Sequence, residues 1–371
     1  MKIESKHGII SRRSKGSFGY HAWGTVTKLA DGTLAAACSG GRIWHVCPFG
    51  KSMLFFSRDE GATWSSPVIV NDTWLDDRDV GLTTLPSGNL LMSWFSLDFE
   101  ILDAREEILK RNYSPDEWEL VNAYRRVCEC DPSMVAGSYL RVSKDGGLTW
   151  GEPVETPVNA PHGPTVLNDG SLLYFGKRLG MRNEAVRNVV ALRSTDEGQT
   201  WEELGQPPLP ANTNWDQFHE PHAIQLPSGR ILGVIRYEGK AEGFEQYGVL
   251  TMFVTWSDDG GKTWITPRCL NVSGSPPHLM RHSSGAILCS YGRRVNGDFS
   301  ERVLISWDDG ESWQDDIAIF NNVPDWDLGY PSTVELSDGS LLTAYYQKFQ
   351  DGDQVDKKAS FLYTKWKLPS R

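Results

Sequence analysis

Short apolar stretches alternate with Gly-containing turns along almost the whole chain. Each unit has an apolar strand, a turn closed by Gly and a second apolar strand, as in Thr25–Leu34 and Gly81–Leu90. This pattern predicts β-hairpins, because the apolar runs are short and Gly supplies the positive φ of a tight turn. The turn glycines recur at six places: Gly32, Gly88, Gly170, Gly229, Gly285 and Gly339.

A second repeat lies between the hairpins. Five segments share the pattern Ser-x-Asp-x-Gly-x-Thr/Ser-Trp, which is far more repetition than chance gives. The Asp side chain can accept hydrogen bonds from nearby backbone amides, and the Trp can fold back over the turn, so we interpret the motif as structural. The five segments are Ser57–Trp64, Ser143–Trp150, Ser194–Trp201, Ser257–Trp264 and Ser306–Trp313.

The two interleaved repeats predict an all-β fold. Six hairpins, each followed by strands that lead to an Asp-containing turn, make six four-stranded blades of a single β-propeller domain over residues 1–371. Closing the blades into a ring avoids exposed sheet edges. We expect the N-terminal segment His7–Ser11 to complete the last blade beside Ser360–Lys365.

One interval between turn glycines is longer than the others and contains a different pattern. Leu102–Arg111 has helical spacing, and Ser114 followed by Pro115 is typical of a helix start. We therefore predict a short helical insertion over about residues 98–135, near one mouth of the channel. It fits either a lid or a dimer contact.

Composition narrows the possible partners. The net charge of −11 disfavours nucleic acid, because an acidic surface repels phosphates. No apolar run has the length of a membrane span, and no secretory apolar region follows the first residues, so we expect a cytoplasmic protein. The sequence does not specify an oligomeric state.

The Asp-containing repeats and the interleaved hairpins resemble those of the sialidase (neuraminidase) superfamily of BNR-repeat, or Asp-box, propellers. The resemblance covers nearly the whole chain and implies a six-bladed propeller of the sialidase type. In that family three arginines hold the substrate carboxylate, a Tyr is the nucleophile, a Glu raises its basicity and an Asp on a loop is the acid. The resemblance therefore implies a glycoside hydrolase that acts on an acidic or sialic-acid-type sugar.

Four residues match this set. Glu220 opens the fourth hairpin and Arg236 ends it, as the family's Glu and second arginine do. Tyr330 opens the sixth hairpin at the family's Tyr position, and a Tyr with a pKa near 10 needs a carboxylate neighbour to become nucleophilic. The third arginine corresponds to Arg293 or Arg294, and we prefer Arg293.

Two elements of the family set are missing. The first hairpin opens with Tyr20–Gly24, which has no arginine, and the loop Arg42–Gly50 has no carboxylate. Arg42 resembles the family's supporting arginine, and we include it among the substrate-binding residues. Arg78 and Asp79, which open the second hairpin, are candidates to replace the lost arginine and the lost acid, although an Arg–Asp salt bridge explains them equally well.

Histidines recur at the ends of hairpin strands that face the channel. Together they predict a polar pocket that binds hydroxyls or transfers protons near neutral pH. No carboxylate accompanies them at a fixed spacing, so we predict no metal and no cofactor. These residues are His21, His162, His222 and His278.

Three functions fit this sequence. The first is hydrolysis of a glycoside by Tyr330, Glu220 and Asp79. The second is a polysaccharide lyase in which Tyr330 or a channel His removes a proton from a uronic acid. The third is a carbohydrate-binding propeller without catalysis. Absence of a Gly-rich strand–helix motif excludes a P-loop or Rossmann enzyme.

Overall fold

The computed structural model describes residues 3–129, 131, 135–179, 187–239, 243 and 245–369. These residues form six four-stranded antiparallel sheets, so the predicted six-bladed β-propeller is confirmed. From the channel outward, blade one consists of β2 (Tyr20–Lys28), β3 (Leu34–Arg42), β4 (Lys51–Ser57) and β5 (Val68–Asn71). Blade two consists of β6 (Asp76–Thr84), β7 (Leu90–Leu97), β8 (Gly137–Ser143) and β9 (Val154–Glu155). Blade three consists of β10 (Thr165–Val166), β11 (Leu172–Lys177), β12 (Val189–Ser194) and β13 (Glu202–Gly205).

Blades four to six follow the same order. Blade four consists of β14 (Phe218–Gln225), β15 (Ile231–Glu238), β16 (Leu250–Ser257) and β17 (Arg268–Cys269). Blade five consists of β18 (His278–Arg281), β19 (Ile287–Val295), β20 (Asp298–Ser306) and β21 (Gln314–Phe320). Blade six consists of β22 (Gly329–Glu335), β23 (Leu341–Asp351), β24 (Gln354–Trp366) and β1 (Ser5–Ser11). Around the channel, β2 contacts the first strands of both neighbouring blades, β22 and β6, and β14 likewise contacts β10 and β18. Between blades two and three, Gly81 lies very close to Gly163. A Cβ on residue 81 would be 2.4 Å from the backbone nitrogen of Gly163, so only glycine fits at position 81.

The N-terminal strand closes the ring. β1 pairs antiparallel with β24, and His7 lies opposite Thr364. The expected completion of the last blade by the N-terminal segment is thus confirmed. Both outer strands belong to blade six, which also contains Tyr330.

The Asp-containing motifs form the turns expected of them. In the first, the backbone nitrogen of Thr63 donates to Oδ1 of Asp59 at 2.8 Å and its hydroxyl donates to Oδ2 at 2.6 Å. The Trp of each motif then packs toward a neighbouring blade. In the fourth, the Trp264 ring stacks on Phe175 of blade three with 4.7 Å between ring centres. The motifs therefore stabilise the contacts between blades.

The helical segment lies between β7 and β8. It contains α1 (Glu100–Ala104), α2 (Glu106–Asn112) and α3 (Pro115–Val127), while residues 130 and 132–134 of the predicted insertion lie outside the described residues. Ser114 caps α3 through a reciprocal hydrogen-bond pair with Glu117. Two short 3-10 helices cover Trp215–Gln217 and Glu245–Tyr247. Among the described helices, none is long and apolar enough to span a bilayer.

The helices pack on a loop at the mouth of the channel. Leu109 and Val121 lie in one apolar cluster with Ile43 and Val46 of the loop between β3 and β4. The Tyr113 hydroxyl donates to the carbonyl oxygen of Val46 at 2.5 Å. The segment thus forms part of the wall around the mouth.

Candidate active site

Four residues in the first strands of their blades hold a left-handed backbone conformation. Each lies where the pairing between first and second strands is irregular. A bulge turns side chains out of regular alternation, and a positive φ costs a non-glycine residue about 1–3 kcal/mol. The four lie near the beginning of strands that run in one direction, and therefore at the same end of the channel. They are Trp23 (φ 52°), Asp79 (φ 51°), Glu220 (φ 45°) and Tyr330 (φ 52°).

Tyr330, Glu220 and Arg236 form one hydrogen-bonded group. The Tyr330 hydroxyl donates to Oε1 of Glu220 at 2.7 Å, and Nη1 of Arg236 donates to Oε2 of Glu220 at 2.5 Å. The same Nη1 donates to the Tyr330 oxygen at 3.2 Å. Nη2 of Arg236 lies 3.2 Å from Oε1 of Glu238. The structure thus brings together three residues that the sequence analysis selected from blades four and six.

The pKa values of Tyr330 and Glu220 are shifted in opposite directions. Burial raises the pKa of Tyr330 well above its usual range, and the charges of Glu220 and Asp79 raise it further. Burial also raises the pKa of Glu220, but the charge of Arg236 and the hydrogen bond from Tyr330 outweigh it, so the pKa is lowered. At neutral pH the proton between the two residues therefore lies on Tyr330, and Glu220 is ionised.

Asp79 is the second carboxyl group of the site. It is 4% exposed, and its Oδ1 has no hydrogen-bond partner in the described part of the chain. Burial and, second to it, the charge of Glu220 raise the pKa of Asp79 to about 7, against the opposing charges of Arg78 and Arg236. Asp79 can therefore hold a proton near neutral pH, where Glu220 cannot.

Arg78 lies beside Asp79 at the mouth. Its Nη1 donates to the carbonyl oxygen of His45 at 2.8 Å and lies 3.3 Å from Oδ2 of Asp76. The guanidinium lies 4.0 Å from the centre of the Trp23 ring. Trp23 belongs to the blade-one stretch Tyr20–Gly24, which lacks the arginine that the family resemblance implies. Arg78 is thus held by a salt bridge and by a cation–π contact.

Arg42 does not reach the channel. Its side chain is fully buried, with Nη1 donating to Oδ1 of Asp76 at 2.6 Å and Nη2 donating to Oδ2 at 2.9 Å. Its guanidinium lies 4.6 Å from the centre of the Trp23 ring. This placement corrects the expectation that Arg42 binds substrate, because no surface of it is left for a ligand. Its role is to position Asp76 and Trp23.

The two arginines of blade five have different partners. Nε of Arg293 donates to Oδ2 of Asp298 at 2.7 Å. Nη2 of Arg294 donates to the carbonyl oxygen of Leu328 at 2.5 Å, and its guanidinium lies 6.0 Å from the centre of the Tyr330 ring. The structure therefore places Arg294 at the site, which corrects the preference for Arg293. Successive strand residues face opposite sides, so only one of the two can point there.

Three of the four selected histidines form a layer in the channel. The ring centres of His222 and His278 lie 4.7 Å apart in a stack, and those of His162 and His278 lie 4.8 Å apart. Nδ1 of His222 accepts a hydrogen bond from the backbone nitrogen of Leu279 at 2.9 Å. Burial lowers the pKa of His222 to about 3 and lowers those of His162 and His278 well below the usual value. The layer is therefore uncharged at neutral pH.

His21 lies apart from this layer. Its Nδ1 is 2.9 Å from the carbonyl oxygen of Gly19, and its ring packs against Gly40 of β3. Burial lowers the pKa of His21 to about 4. His21 was expected in the channel because it lies at the opening end of a hairpin strand, but two irregularities in the pairing of β2 with β3 change the direction of side chains there. In the described part of the chain, no three His, Cys, Asp or Glu side chains are arranged to hold a metal ion.

An aromatic wall next to Tyr330 was missed by the sequence analysis. The hydroxyls of Tyr20 and Tyr346 donate to Oδ1 of Asp327 at 2.9 and 3.2 Å, and Nδ1 of His45 lies 3.5 Å from the same oxygen. Trp326 precedes Asp327 and is 53% exposed, with its ring centre 6.1 Å from that of His45. The sequence offers one indication of this wall, because Asp327, the carboxylate that its side chains contact, lies only three residues before Tyr330.

A buried lysine on the blade-three side was also missed. Nζ of Lys177 donates to the carbonyl oxygens of Trp215, at 2.7 Å, and of Phe218. Burial lowers the pKa of Lys177 to about 8, against the opposing charge of Asp216. The sequence offers no motif for it, because its neighbours come from the next blade.

Comparisons with known proteins concern this fold. No protein-family model matches the sequence, and no curated protein matches it. A Dyadobacter fermentans protein of unknown function shares 20% identity, with 98% of this chain and 99% of that one covered and a TM-score of 0.73. The NanB sialidase from Streptococcus pneumoniae shares 12% identity over 97% of this chain and 70% of its own, with a TM-score of 0.67. The fold is that of a sialidase-type propeller.

Sialidase-type propellers are not restricted to sialidases. The α-L-arabinofuranosidase of Fusarium graminearum matches this chain with 14% identity, 97% coverage of both chains and a TM-score of 0.62. Glycoside hydrolases with different sugars therefore share this architecture. Function has to be argued from the residues at the mouth.

Proposed function

We propose that this protein is a glycoside hydrolase in which Asp79 is the general acid and the Tyr330–Glu220 pair provides the nucleophile. The observation that carries the proposal is the 2.7 Å hydrogen bond from Tyr330 to Glu220. Two carboxyl groups with pKa values shifted in opposite directions are typical of the acid and base of such enzymes. Here the pKa of Asp79 is raised to about 7 and that of Glu220 is lowered.

The reaction follows from these roles. Asp79 gives its proton to the glycosidic oxygen as the bond to the anomeric carbon breaks. The Tyr330 oxygen transfers its proton to Glu220 and bonds to that carbon. Asp79, now ionised, removes a proton from water, whose oxygen attacks the same carbon and releases Tyr330, and Glu220 returns the proton. Nη1 of Arg236 contacts both partners and so stabilises the charge that develops on the phenol oxygen.

We further propose that the terminal sugar carries a carboxylate. Three guanidinium groups lie at the mouth, and charge-assisted bonds from arginine to carboxylate are strong. Arg236 contacts Tyr330, Arg294 lies beside its ring, and Arg78 is next to Asp79. The first hairpin lacks the arginine of the family, so we expect weak sialidase activity and better activity on a different acidic sugar.

In a second candidate mechanism, Glu220 rather than Tyr330 is the nucleophile. It is favoured by one observation, the ionised state of Glu220 in the pair. Most retaining glycosidases use a carboxylate nucleophile. In that case the Tyr330 hydroxyl orients Glu220, and a neutral sugar fits as well as an acidic one.

The test is a panel of 4-nitrophenyl glycosides that carry sialic acid, glucuronic acid, galacturonic acid or arabinofuranose. The proposal expects release of nitrophenol, with at least one acidic sugar preferred to arabinofuranose. Preference for arabinofuranose would overturn the carboxylate assignment. An unsaturated product from uronic-acid oligosaccharides would show a lyase, and binding without any turnover would overturn catalysis altogether.

A further inference from the structure

A groove separates blades five and six near their outer strands. Its volume is about 860 Å³, which is within the range of small-molecule sites. It is lined on one side by Phe320 and Asn322, at and just after the end of β21. On the other side lie Tyr345, Gln347 and Phe349 of β23. No residue of the proposed catalytic group borders it.

The groove opens because the apolar core between the two blades does not extend over their whole height. Leu288, Ile305 and Trp366 fill the part of the interface away from the mouth. Toward the mouth, Ala318 of β21 leaves space in front of β23. Gln347 directly follows Tyr346, which pairs with Gly329 beside Tyr330. The groove therefore lies at the same end of the propeller as the candidate active site.

The rings in the groove are fixed. The ring centre of Phe320 lies 4.7 Å from that of His7 and 5.8 Å from that of Tyr345. The guanidinium of Arg12 lies 3.9 Å from the centre of the Phe349 ring. Rigid aromatic faces offer apolar contact to a ligand with little loss of conformational entropy.

The polar groups in the groove are neutral. The lining residues include Asn321, Asn322, Gln347 and Gln350, and none of them is Asp, Glu, Lys or Arg. Burial lowers the pKa of His7, so this side chain is also uncharged at neutral pH. Arg12, beside the Phe349 ring, is paired with Asp356 at 2.7 Å. In a chain with a net charge of −11, a groove whose own lining residues are neutral favours a neutral ligand.

Gln347 gives the groove an unused polar group. It is 1% exposed, and its Oε1 has no hydrogen-bond partner among the described residues. Buried amide oxygens are normally paired, because an unpaired one costs about 1–3 kcal/mol. Gln347 borders the groove, so a small rotation of its side chain would bring this oxygen to a ligand hydroxyl.

We propose that this groove is a second carbohydrate site, which binds a segment of a neutral oligosaccharide. Planar rings contact the apolar faces of sugars, and side-chain amides both donate to and accept from hydroxyl groups. The inference does not depend on the catalytic roles of Tyr330, Glu220 and Asp79, because it rests on other residues and is tested by binding alone.

The test is titration calorimetry with three neutral hexasaccharides: cellohexaose, xylohexaose and α-1,5-arabinohexaose. The protein carries Tyr330→Phe to prevent turnover. We expect at least one hexasaccharide to bind, and Phe349→Ala to weaken that binding about five- to tenfold by removing one ring face. Gln347→Leu is expected to weaken binding similarly while leaving the melting temperature unchanged or higher, since it removes an unpaired buried oxygen.

The control is Gln314→Leu, which makes the same change at an exposed position at the other end of β21. It should leave binding unchanged. Failure of all three hexasaccharides to bind would overturn the proposal. Binding that is equally strong in the Phe349→Ala and Gln347→Leu variants would also overturn it, and would place the sugar at another site.

Discussion

The hydroxyl of Tyr330 lies 2.7 Å from Oε1 of Glu220, although the two residues are 110 positions apart in the chain. Both have a positive φ at a bulge in the first strand of a blade. The strands therefore fix the relative position of the two side chains before any substrate binds. Because these side chains do not have to rearrange on binding, little free energy is lost in bringing them together.

Replacing Tyr330 by Phe should abolish turnover. The ring and its contacts with Trp23 and Tyr346 are retained, and only the attacking oxygen is lost. We expect kcat to fall at least about a thousandfold, because the covalent step loses its nucleophile. The measurement is the steady-state rate on the best nitrophenyl glycoside. Retention of kcat within tenfold would show that Glu220 attacks instead.

The matched control is Tyr291→Phe. Its hydroxyl is also buried and donates to a carboxylate, Oδ1 of Asp316 at 2.7 Å, but in the outer part of blade five. This variant should lose about 1 kcal/mol of unfolding free energy and no activity.

Activity should decrease as the pH rises through about 7. The pKa of Asp79 is raised to about 7, so the general acid is protonated below this pH and loses its proton above it. Asp79→Asn should remove this basic limb from the profile of kcat/KM and slow the reaction. The loss should be smaller for nitrophenyl leaving groups than for alkyl glycosides, since a nitrophenolate leaves without protonation. An unchanged basic limb in Asp79→Asn would assign the acid to another residue.

Arg294 and Arg293 offer a matched pair of substitutions in one strand. Arg294→Ala removes a guanidinium beside the Tyr330 ring and should raise KM for an acidic substrate about tenfold or more. Arg293→Ala only breaks an exposed pair with Asp298 and should leave KM within about twofold. Equal effects of the two variants would contradict the assignment. The measurement is KM for an acidic glycoside and for its neutral amide, which should respond less.

Asp76→Ala should destabilise the fold. Asp76 is the carboxylate partner of the fully buried Arg42, and removing it leaves an unpaired charge inside the protein. The expected loss is about 3–5 kcal/mol of unfolding free energy, measured by urea denaturation. Asp72→Ala breaks an exposed pair with Lys51 and should change stability by less than about 1 kcal/mol. A similar small loss for Asp76→Ala would contradict the supporting role of Arg42.

His222→Asn should reduce the loss of stability in mild acid. The pKa of His222 is about 3 in the folded protein and near 6.5 when unfolded, so below pH 6.5 the unfolded chain binds a proton that the folded protein does not. Stability therefore falls as pH falls, by about 1.4 kcal/mol from this residue between pH 7.5 and 5.5. Asn keeps an acceptor for the backbone nitrogen of Leu279 and removes the titration. Asp79 contributes to the pH dependence in the opposite direction, but equally in both proteins, so its contribution cancels when the original protein and His222→Asn are compared at both pH values. If the free energy of unfolding depends on pH equally in both proteins, the prediction is wrong.

The blades and the Tyr330–Glu220 pair could be predicted from sequence because their signals are local. A turn motif such as Ser57–Trp64 determines its own hydrogen bonds, and the hairpins that contain Glu220 and Tyr330 have recognisable spacing. The channel position of His222 also followed from its place at the start of a strand.

The residues that the sequence analysis misplaced depend on strand irregularities and on long-range pairing. The bulges of β2 place Trp23 beside Arg78 and turn the His21 ring towards Gly40 of β3, apart from the other three histidines. The amino-acid sequence of that segment carries no signal for these bulges. The choice between Arg293 and Arg294 depends on which face of β19 points to blade six. Arg42 looked available because its partner Asp76 belongs to another blade.

The pairing of β1 with β24 has a consequence during synthesis. His7 and Thr364 are 357 residues apart, and at roughly 5–20 residues per second the ribosome needs about 20–70 s to make the second after the first. For that time residues 5–11 have no β24 with which to pair. Tyr330, the proposed nucleophile, is also made late, in the blade that this strand completes. A nascent chain therefore cannot assemble the proposed catalytic pair until Tyr330 has been made. A nick or truncation near Thr364 would remove the partner of β1, open the ring and release the outermost strand of the blade that contains Tyr330.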